Sequence, residues 1–389
     1  MNERPAKTSR IYLSVPHMGG DELTFVQEAF ESNWLSSVGP NLDAFEAEVS
    51  AVTGGTHHVL AVSSGTAALH LILRAIGVDR GDRVAVSSLT FAGSVFPILY
   101  QGATPVFIDS ELVSGNIDPD LVAEYFEDAA RRNALPKALI AVHLYGQHAD
   151  IDRIADACAR FGVVLIEDAA ESLGATYKGR PTASTADYAI LSFNGNKIIT
   201  TTGGGMVLAR DPNQIARMKK WANQSREPAI EYLHFETGYN YRMSNVLAGI
   251  GRGQLRVLAE RVQQRQAVFD RYVTSLAEVP GLCFQEEAPW GTHTRWLTVA
   301  YVDEKIAGRS ARELVTFLAD RDVEARPVWR PMHAQPLFDG ARRVGGNVAE
   351  RMYQTGICLP SSSSLSLEAQ QHVIQLVSKA LETSPNPAL

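Results

Sequence analysis

Lys197 is the residue whose setting says most about chemistry. It stands in Ile190-Leu191-Ser192-Phe193-Asn194-Gly195-Asn196-Lys197-Ile198-Ile199, which runs on through Thr200-Thr201-Thr202-Gly203-Gly204-Gly205. Most lysines simply face solvent. Here the neighbours are apolar or small, and such surroundings suit an amine that sheds its proton readily and attacks aldehydes. The glycines permit backbone paths and close approaches that other residues forbid. Ser63-Ser64-Gly65-Thr66 follows a strand pattern and opens an apolar helical one. Main-chain N–H groups at a helix start, joined by hydroxyls, form an anion site; a serine there also serves as a plain helix cap. Asp168 closes Val163-Val164-Leu165-Ile166-Glu167-Asp168 and leads into Ala169-Ala170-Glu171. A carboxylate at the end of a buried strand must be paired or hydrogen-bonded. It either caps the next turn or faces a cationic ring nitrogen such as a pyridinium. Phe91, in Ser88-Leu89-Thr90-Phe91, follows another strand pattern. A flat aromatic there stacks on a planar ligand or fills the core.

The elements that must position these residues can be read from periodicity. Strand patterns lie at 58–62, 83–87, 105–108, 138–143, 163–168, 188–193 and 205–208, with helical patterns such as 65–76, 118–131 and 150–161 between many of them. This alternation predicts a mostly parallel sheet covered on both faces. Ligands gather at the carboxyl ends of strands in such sheets, and all four segments fall there. A helical stretch over 243–277 leads out of this unit, with Gly249, Gly251 and Gly253 as close-packing points near its start. A strand pattern at 295–302, a helix at 310–320, an apolar run at 323–329 and helices at 347–356 and 366–382 follow. Ser361 to Ser364 reads as a turn, and residues 385–389 should fray. The expectation is a large α/β domain over 1–250 with a seven-stranded sheet, and a smaller α+β domain over 251–389.

A phosphate-cradling helix, an aromatic, a buried aspartate and a lysine at successive strand ends are together what pyridoxal 5′-phosphate (PLP) requires. The phosphate is anchored at one end and the ring is sandwiched. Asp168 keeps the pyridine nitrogen protonated, so the ring becomes an electron sink. Lys197 joins the aldehyde as a Schiff base. Once displaced by an amino donor, its amine can move a proton between substrate and cofactor carbons.

Composition excludes several rivals. With 36 Lys+Arg against 43 Asp+Glu, the net charge of -7 argues against a binder of nucleic-acid backbones. Cys158, Cys283 and Cys358 are far apart, so reduced thiols in a cytoplasmic protein are expected. The first ten residues lack an apolar signal core, and no run approaches the ~18–20 apolar residues of a membrane span. His57-His58 and His143 with His148 show no metalloprotease-like ligand spacing, so no metal is expected, and no GxGxxG follows a strand.

At these residues the chain resembles the DegT/DnrJ/StrS family of sugar aminotransferases, of PLP fold type I, the aspartate aminotransferase-like fold. The resemblance covers nearly the whole chain in seven ordered motifs. They are Gly39-Pro40 with Phe45-Glu46, Ser64-Gly65-Thr66, Gly102-Ala103-Thr104-Pro105, Val142-His143-Leu144-Tyr145-Gly146-Gln147, Glu167-Asp168-Ala169-Ala170-Glu171, Ser192-Phe193-Asn194-Gly195-Asn196-Lys197 and Gly238-Tyr239-Asn240-Tyr241-Arg242-Met243. It implies that Lys197 is the Schiff-base lysine, that Asp168 pairs with the pyridine nitrogen and that Phe91 stacks on the ring. Ser64, Gly65, Thr66 and Ser192 would hold the phosphate. Asn240 would reach it from the neighbouring subunit of a homodimer. Glu171 falls near the ring hydroxyl, where many members carry Gln or His. Relatives with His in place of the lysine dehydrate their substrates, and Lys197 sets this chain apart from them.

The segment Arg326-Pro327-Val328-Trp329-Arg330-Pro331-Met332-His333 looks like the family's sugar-contacting region. With Asn194, Trp329 and His333 as substrate contacts, it is most similar to members that aminate UDP-linked 4-keto-6-deoxy-N-acetylhexosamines with L-glutamate. GDP-perosamine synthases share much of the pattern but typically carry an acidic residue within the glycine run. A 3-keto sugar aminotransferase is a further alternative. A non-catalytic regulator on the same fold is the alternative of another class.

Overall fold

The structure is a computed structural model, and it describes residues 10–382. Seven strands of the main sheet lie where periodicity places them. They are β1 (His58–Val62), β2 (Arg83–Ser87), β3 (Thr104–Ile108), β4 (Ala138–Val142), β5 (Val164–Asp168), β6 (Tyr188–Ser192) and β7 (Gly205–Ala209). Beyond them come β8 (Leu282–Phe284), β9 (Thr298–Val302), β10 (Arg326–Pro327), β11 (Arg343–Val344) and β12 (Gly356–Leu359). The main sheet has eight strands, in the order β1-β7-β6-β5-β4-β2-β3-β11. The expected count of seven is therefore corrected: β11 pairs parallel to the edge of β3. Its two residues are too few to show a period. Only β7 runs antiparallel to its neighbours. β4 is buried along its whole length, as its unbroken apolar run requires of a central parallel strand.

Register carries the functional consequence. Asp168 lies opposite both Val142 of β4 and Ile190 of β6. Gly205 lies opposite both Ser192 and Val62. The last residues of β1, β4, β5 and β6 and the first residue of the antiparallel β7 thus share one edge, and the chain leaving β1 there starts the helix Gly65–Ala75. Ser64 caps that helix, its side chain accepting a 3.0 Å hydrogen bond from the Ala67 N–H. Leu69, Ile72 and Leu73 of the helix pack against Val62, Ile190 and Val207 in one of the cores flanking the sheet. A Cβ at Gly205 would stand 2.4 Å from the Gly65 nitrogen. Only glycine lets β7 run this close to the helix start. Gly205→Ala should lower stability by about 1–3 kcal/mol, the usual cost of overpacking. A urea midpoint equal to wild type would contradict that close approach.

The second core surrounds a four-stranded antiparallel sheet, β8-β9-β12-β10. Val268, Tyr272, Leu314, Leu318, Ile357 and Val377 fill it. Three details differ from the periodicity reading. The helical stretch over 243–277 is two helices, Asn245–Arg256 and Leu258–Ser275, parted at Val257 (φ -106°, ψ 9°). The strand expected over 295–302 begins only at Thr298, because Arg295 turns the chain at φ 52°. The run over 323–329 contributes only Arg326 and Pro327 to the sheet. The fraying expected at 385–389 lies outside the described residues. Among the described residues, no helix is long and apolar enough to cross a membrane.

Candidate active site

A cavity of about 360 Å³ opens at the shared strand edge. At one end lie Ser64, Gly65 and Thr66, the start of a helix whose first N–H groups have no partner within it. Ser192 faces them across a gap so narrow that a Cβ at Gly65 would come within 3.2 Å of the Ser192 Cβ. Main-chain N–H groups and three hydroxyls at a helix N-terminus suit a phosphate.

Asp168 is held in place by neutral donors. Ser94 donates to its Oδ2 at 2.7 Å, and the Ala170 N–H donates to Oδ1 at 3.1 Å. Thr90 in turn bonds Ser94 at 2.7 Å. No cation in these contacts neutralises the carboxylate, which leaves it available to one placed in the cavity. Behind it, Glu167, His143 and His148 are fully buried, and their ligand-type atoms lie within 4.8 Å of one another. Hydrogen bonds engage two of the three groups completely. His143 Nε2 meets Glu167 at 3.0 Å while its Nδ1 accepts from the Ala149 N–H at 3.2 Å. Glu167 also accepts from the N–H groups of Thr185 and Ala186. Burial alone would raise the Glu167 pKa, but these donors outweigh it and pull it down to about 2. Burial drives His148 down to about 3. We read this group as a brace beneath Asp168.

Lys197 comes from a turn closed by its own N–H to the Asn194 carbonyl at 3.0 Å and by Thr201 N–H to the Phe193 carbonyl at 3.0 Å. Ile198 and Ile199 anchor it in the core. Nζ reaches the Glu171 Oε1 at 3.1 Å and sits 3.9 Å from the centroid of the Trp296 ring. Glu171 is buried; burial raises its pKa, and the charge of Lys197 opposes the rise. Its Oε2 accepts from the Tyr145 N–H at 2.7 Å. Phe91 is 59% exposed, so it is not a core residue, and its ring lies 5.5 Å from that of Trp329 at the mouth.

The structure thus brings Ser64, Gly65, Thr66, Phe91, Asp168, Glu171, Ser192, Asn194, Lys197 and Trp329 to one cavity. It does not bring Asn240 or His333 there. Asn240 is exposed on a bridge with Asn223. His333, expected at the substrate, lies outside the lining of this cavity: one ring nitrogen bonds Ser88 and the other bonds Glu350 at 2.9 Å, beside the 332–334 turn. Trp296 is the functional neighbour that sequence reasoning missed. Its indole N–H donates to the Asn196 carbonyl at 2.6 Å, beside the lysine it also covers. No spacing in the sequence points to it, since Arg295 reverses the chain just before it.

Comparison with known proteins shows the family. The pattern of the DegT/DnrJ/EryC1/StrS aminotransferase family matches residues 16–378. The chain belongs to that family. EpsN of Bacillus subtilis (strain 168), provisionally named a pyridoxal phosphate-dependent aminotransferase, is 46% identical over 372 residues, 95% of each chain. GDP-perosamine synthase of Caulobacter vibrioides is 35% identical over 377 residues, 96% of this chain and 98% of that one. The crystal structure of the aminotransferase TlmJ from Streptoalloteichus hindustanus superimposes with a TM-score of 0.86 at 30% identity, covering 96% of this chain and 99% of that one. The chain is a PLP-dependent sugar aminotransferase of fold type I. The donor set fits the cofactor: a hydroxyl-lined helix start for its phosphate, a carboxylate without a cationic partner for its ring nitrogen and an amine for its aldehyde. When bound, PLP supplies the electron sink through which an amino group passes between two substrates.

Proposed function

We propose that this DegT-family aminotransferase moves the amino group of L-glutamate to the C4 keto group of a nucleotide-linked 4-keto-6-deoxy sugar. The substrate proposed is UDP-2-acetamido-2,6-dideoxy-hexos-4-ulose, for surface glycan biosynthesis, with the enzyme in the cytoplasm. The observation that carries the chemistry is the meeting of Lys197, Asp168 and the Gly65–Ala75 helix start at one strand edge. In this reading Ser64, Gly65, Thr66 and Ser192 bind the cofactor phosphate, Phe91 covers its ring and Glu171 stands by its hydroxyl. Lys197 carries a proton to and from the reacting carbon, Asp168 holds the ring nitrogen charged, and Asn194 and Trp329 flank the sugar. Asn240 would complete the phosphate site of a neighbouring copy in a homodimer. Its exposure, away from its own chain's cavity, supports that role.

The UDP sugar rests on the resemblance of residues 326–333 and on the absence of an acidic residue from Gly203-Gly204-Gly205. The similarity to GDP-perosamine synthase favours a second reading, a GDP-linked 4-keto-6-deoxyhexose. Assays with L-glutamate and a panel of UDP-, GDP- and dTDP-linked 3- and 4-keto sugars decide between them. The UDP N-acetyl compound should lead in kcat/KM by about tenfold or more. A lead for the GDP compound establishes the second reading instead, and no amination of any keto sugar contradicts both.

A further inference from the structure

We propose that Tyr145 is a positioning residue for the sugar side of the cavity, acting through Trp329 without touching substrate. The inference rests on the reading of Trp329 as a sugar contact. Tyr145 sits in the turn after β4, fully buried, with φ 54° and ψ 12°. A residue with a side chain adopts this left-handed conformation at an energetic cost, and surrounding structure must hold it there. The hold is visible. Next to it, Gly146 has φ 104°, and a Cβ there would stand 2.1 Å from the Thr294 Oγ1, so the turn has no room to relax.

The two ends of Tyr145 reach different halves of the site. Its N–H donates to Glu171 Oε2 at 2.7 Å, and the other oxygen of that carboxylate is 3.1 Å from Lys197 Nζ. Its phenol oxygen accepts from the Trp329 N–H at 3.0 Å. The phenol also interacts with the Cys358 thiol. Cys358 lies in β12 opposite Arg326 of β10, the strand that runs into Trp329. The Tyr145 and Trp329 rings are 4.9 Å apart, and Trp329 meets Phe91 at 5.5 Å. One residue, through its main-chain N–H and its side chain, therefore sets the distance between the lysine end and the aromatic wall at the mouth. Burial raises the phenol's pKa well above its ordinary value, so it keeps its proton throughout the working range.

Tyr145→Phe tests this role, because it keeps the ring and the N–H to Glu171 and removes the hydroxyl, with its acceptor for the Trp329 main-chain N–H and its contact with the Cys358 thiol. In the PLP-loaded protein, the glutamate-driven loss of the lysine-bound cofactor absorption should stay within about twofold of wild type. KM for the UDP 4-keto sugar should rise about tenfold at nearly constant kcat, the effect of orphaning one partly buried N–H. Equilibrium binding of UDP-N-acetylglucosamine, an unreactive probe, should weaken by about the same factor. Unchanged KM and probe affinity overturn the proposal, as does an equal loss in both half-reactions, which marks general damage. Trp329→Ala separates the two readings. If it leaves probe binding untouched, the sugar-wall reading fails and Tyr145 with it. If it weakens binding while Tyr145→Phe does not, only the role of Tyr145 is overturned.

Discussion

Lys197→Ala is expected to lose the absorption of lysine-bound cofactor completely, and turnover by at least about 10⁴-fold. The cavity contains no other lysine among its lining residues, so no amine of the chain can substitute for it there. The phosphate end should be unaffected, since Ser64, Thr66 and Ser192 are held by the helix start and by β6. The variant should therefore still bind PLP, but reversibly, and gel filtration should strip it. The change also leaves the buried Glu171 carboxylate without its ion-pair partner. An unpaired buried carboxylate relieves its burial by taking up a proton, which limits the loss of stability. Measurement is simple: spectra before and after desalting, then a glutamate-dependent assay. Wild-type turnover in this variant would leave Lys197 a structural residue and remove the mechanism.

Asp168→Asn should lower kcat by about 10²–10³-fold, the range for deleting one preorganised charge at a reacting centre. Asparagine matches aspartate in shape, and its one carbonyl oxygen can still accept from either Ser94 or the Ala170 N–H. What disappears is the negative charge that, in the proposed mechanism, keeps a pyridine nitrogen protonated. PLP should remain attached to Lys197, and the rate of its glutamate-driven spectral change should carry the loss. A rate equal to wild type would remove the role of Asp168 in charge stabilisation, whatever its contacts. The brace of Glu167 and His143 lies behind the strand and donates nothing into the cavity, so it cannot replace that charge.

Much of this site was legible in the sequence because the key residues stand at or a few positions past the ends of apolar runs. The runs over 163–168 and 138–143 read as strands of a mostly parallel sheet, the first of them central, and such strands place their carboxyl ends together whatever the loops do. Lys197 and Asp168 could thus be brought together before any contact was known. The parts that were not legible depend on contacts between distant segments or on short irregular ones. β11 has two residues and no period. The break at Val257 carries neither proline nor glycine. His333 lies in a motif-like run, but its partner Ser88 is 245 positions away, so no local spacing shows that bond. Trp296 reaches Lys197 only because Arg295 takes a left-handed turn, which arginine gives no reason to expect. The left-handed Tyr145 was visible as part of a motif, while its task was not.

The central claim is that Lys197 and Asp168 operate PLP in glutamate-dependent amino transfer. The most direct test is the visible absorption spectrum of the purified, PLP-loaded protein, recorded before and after addition of L-glutamate. The expected result is a lysine-bound cofactor band that fades on addition of glutamate and returns on addition of the keto sugar. A protein that forms no such band with excess PLP, or whose band ignores glutamate, would contradict the claim.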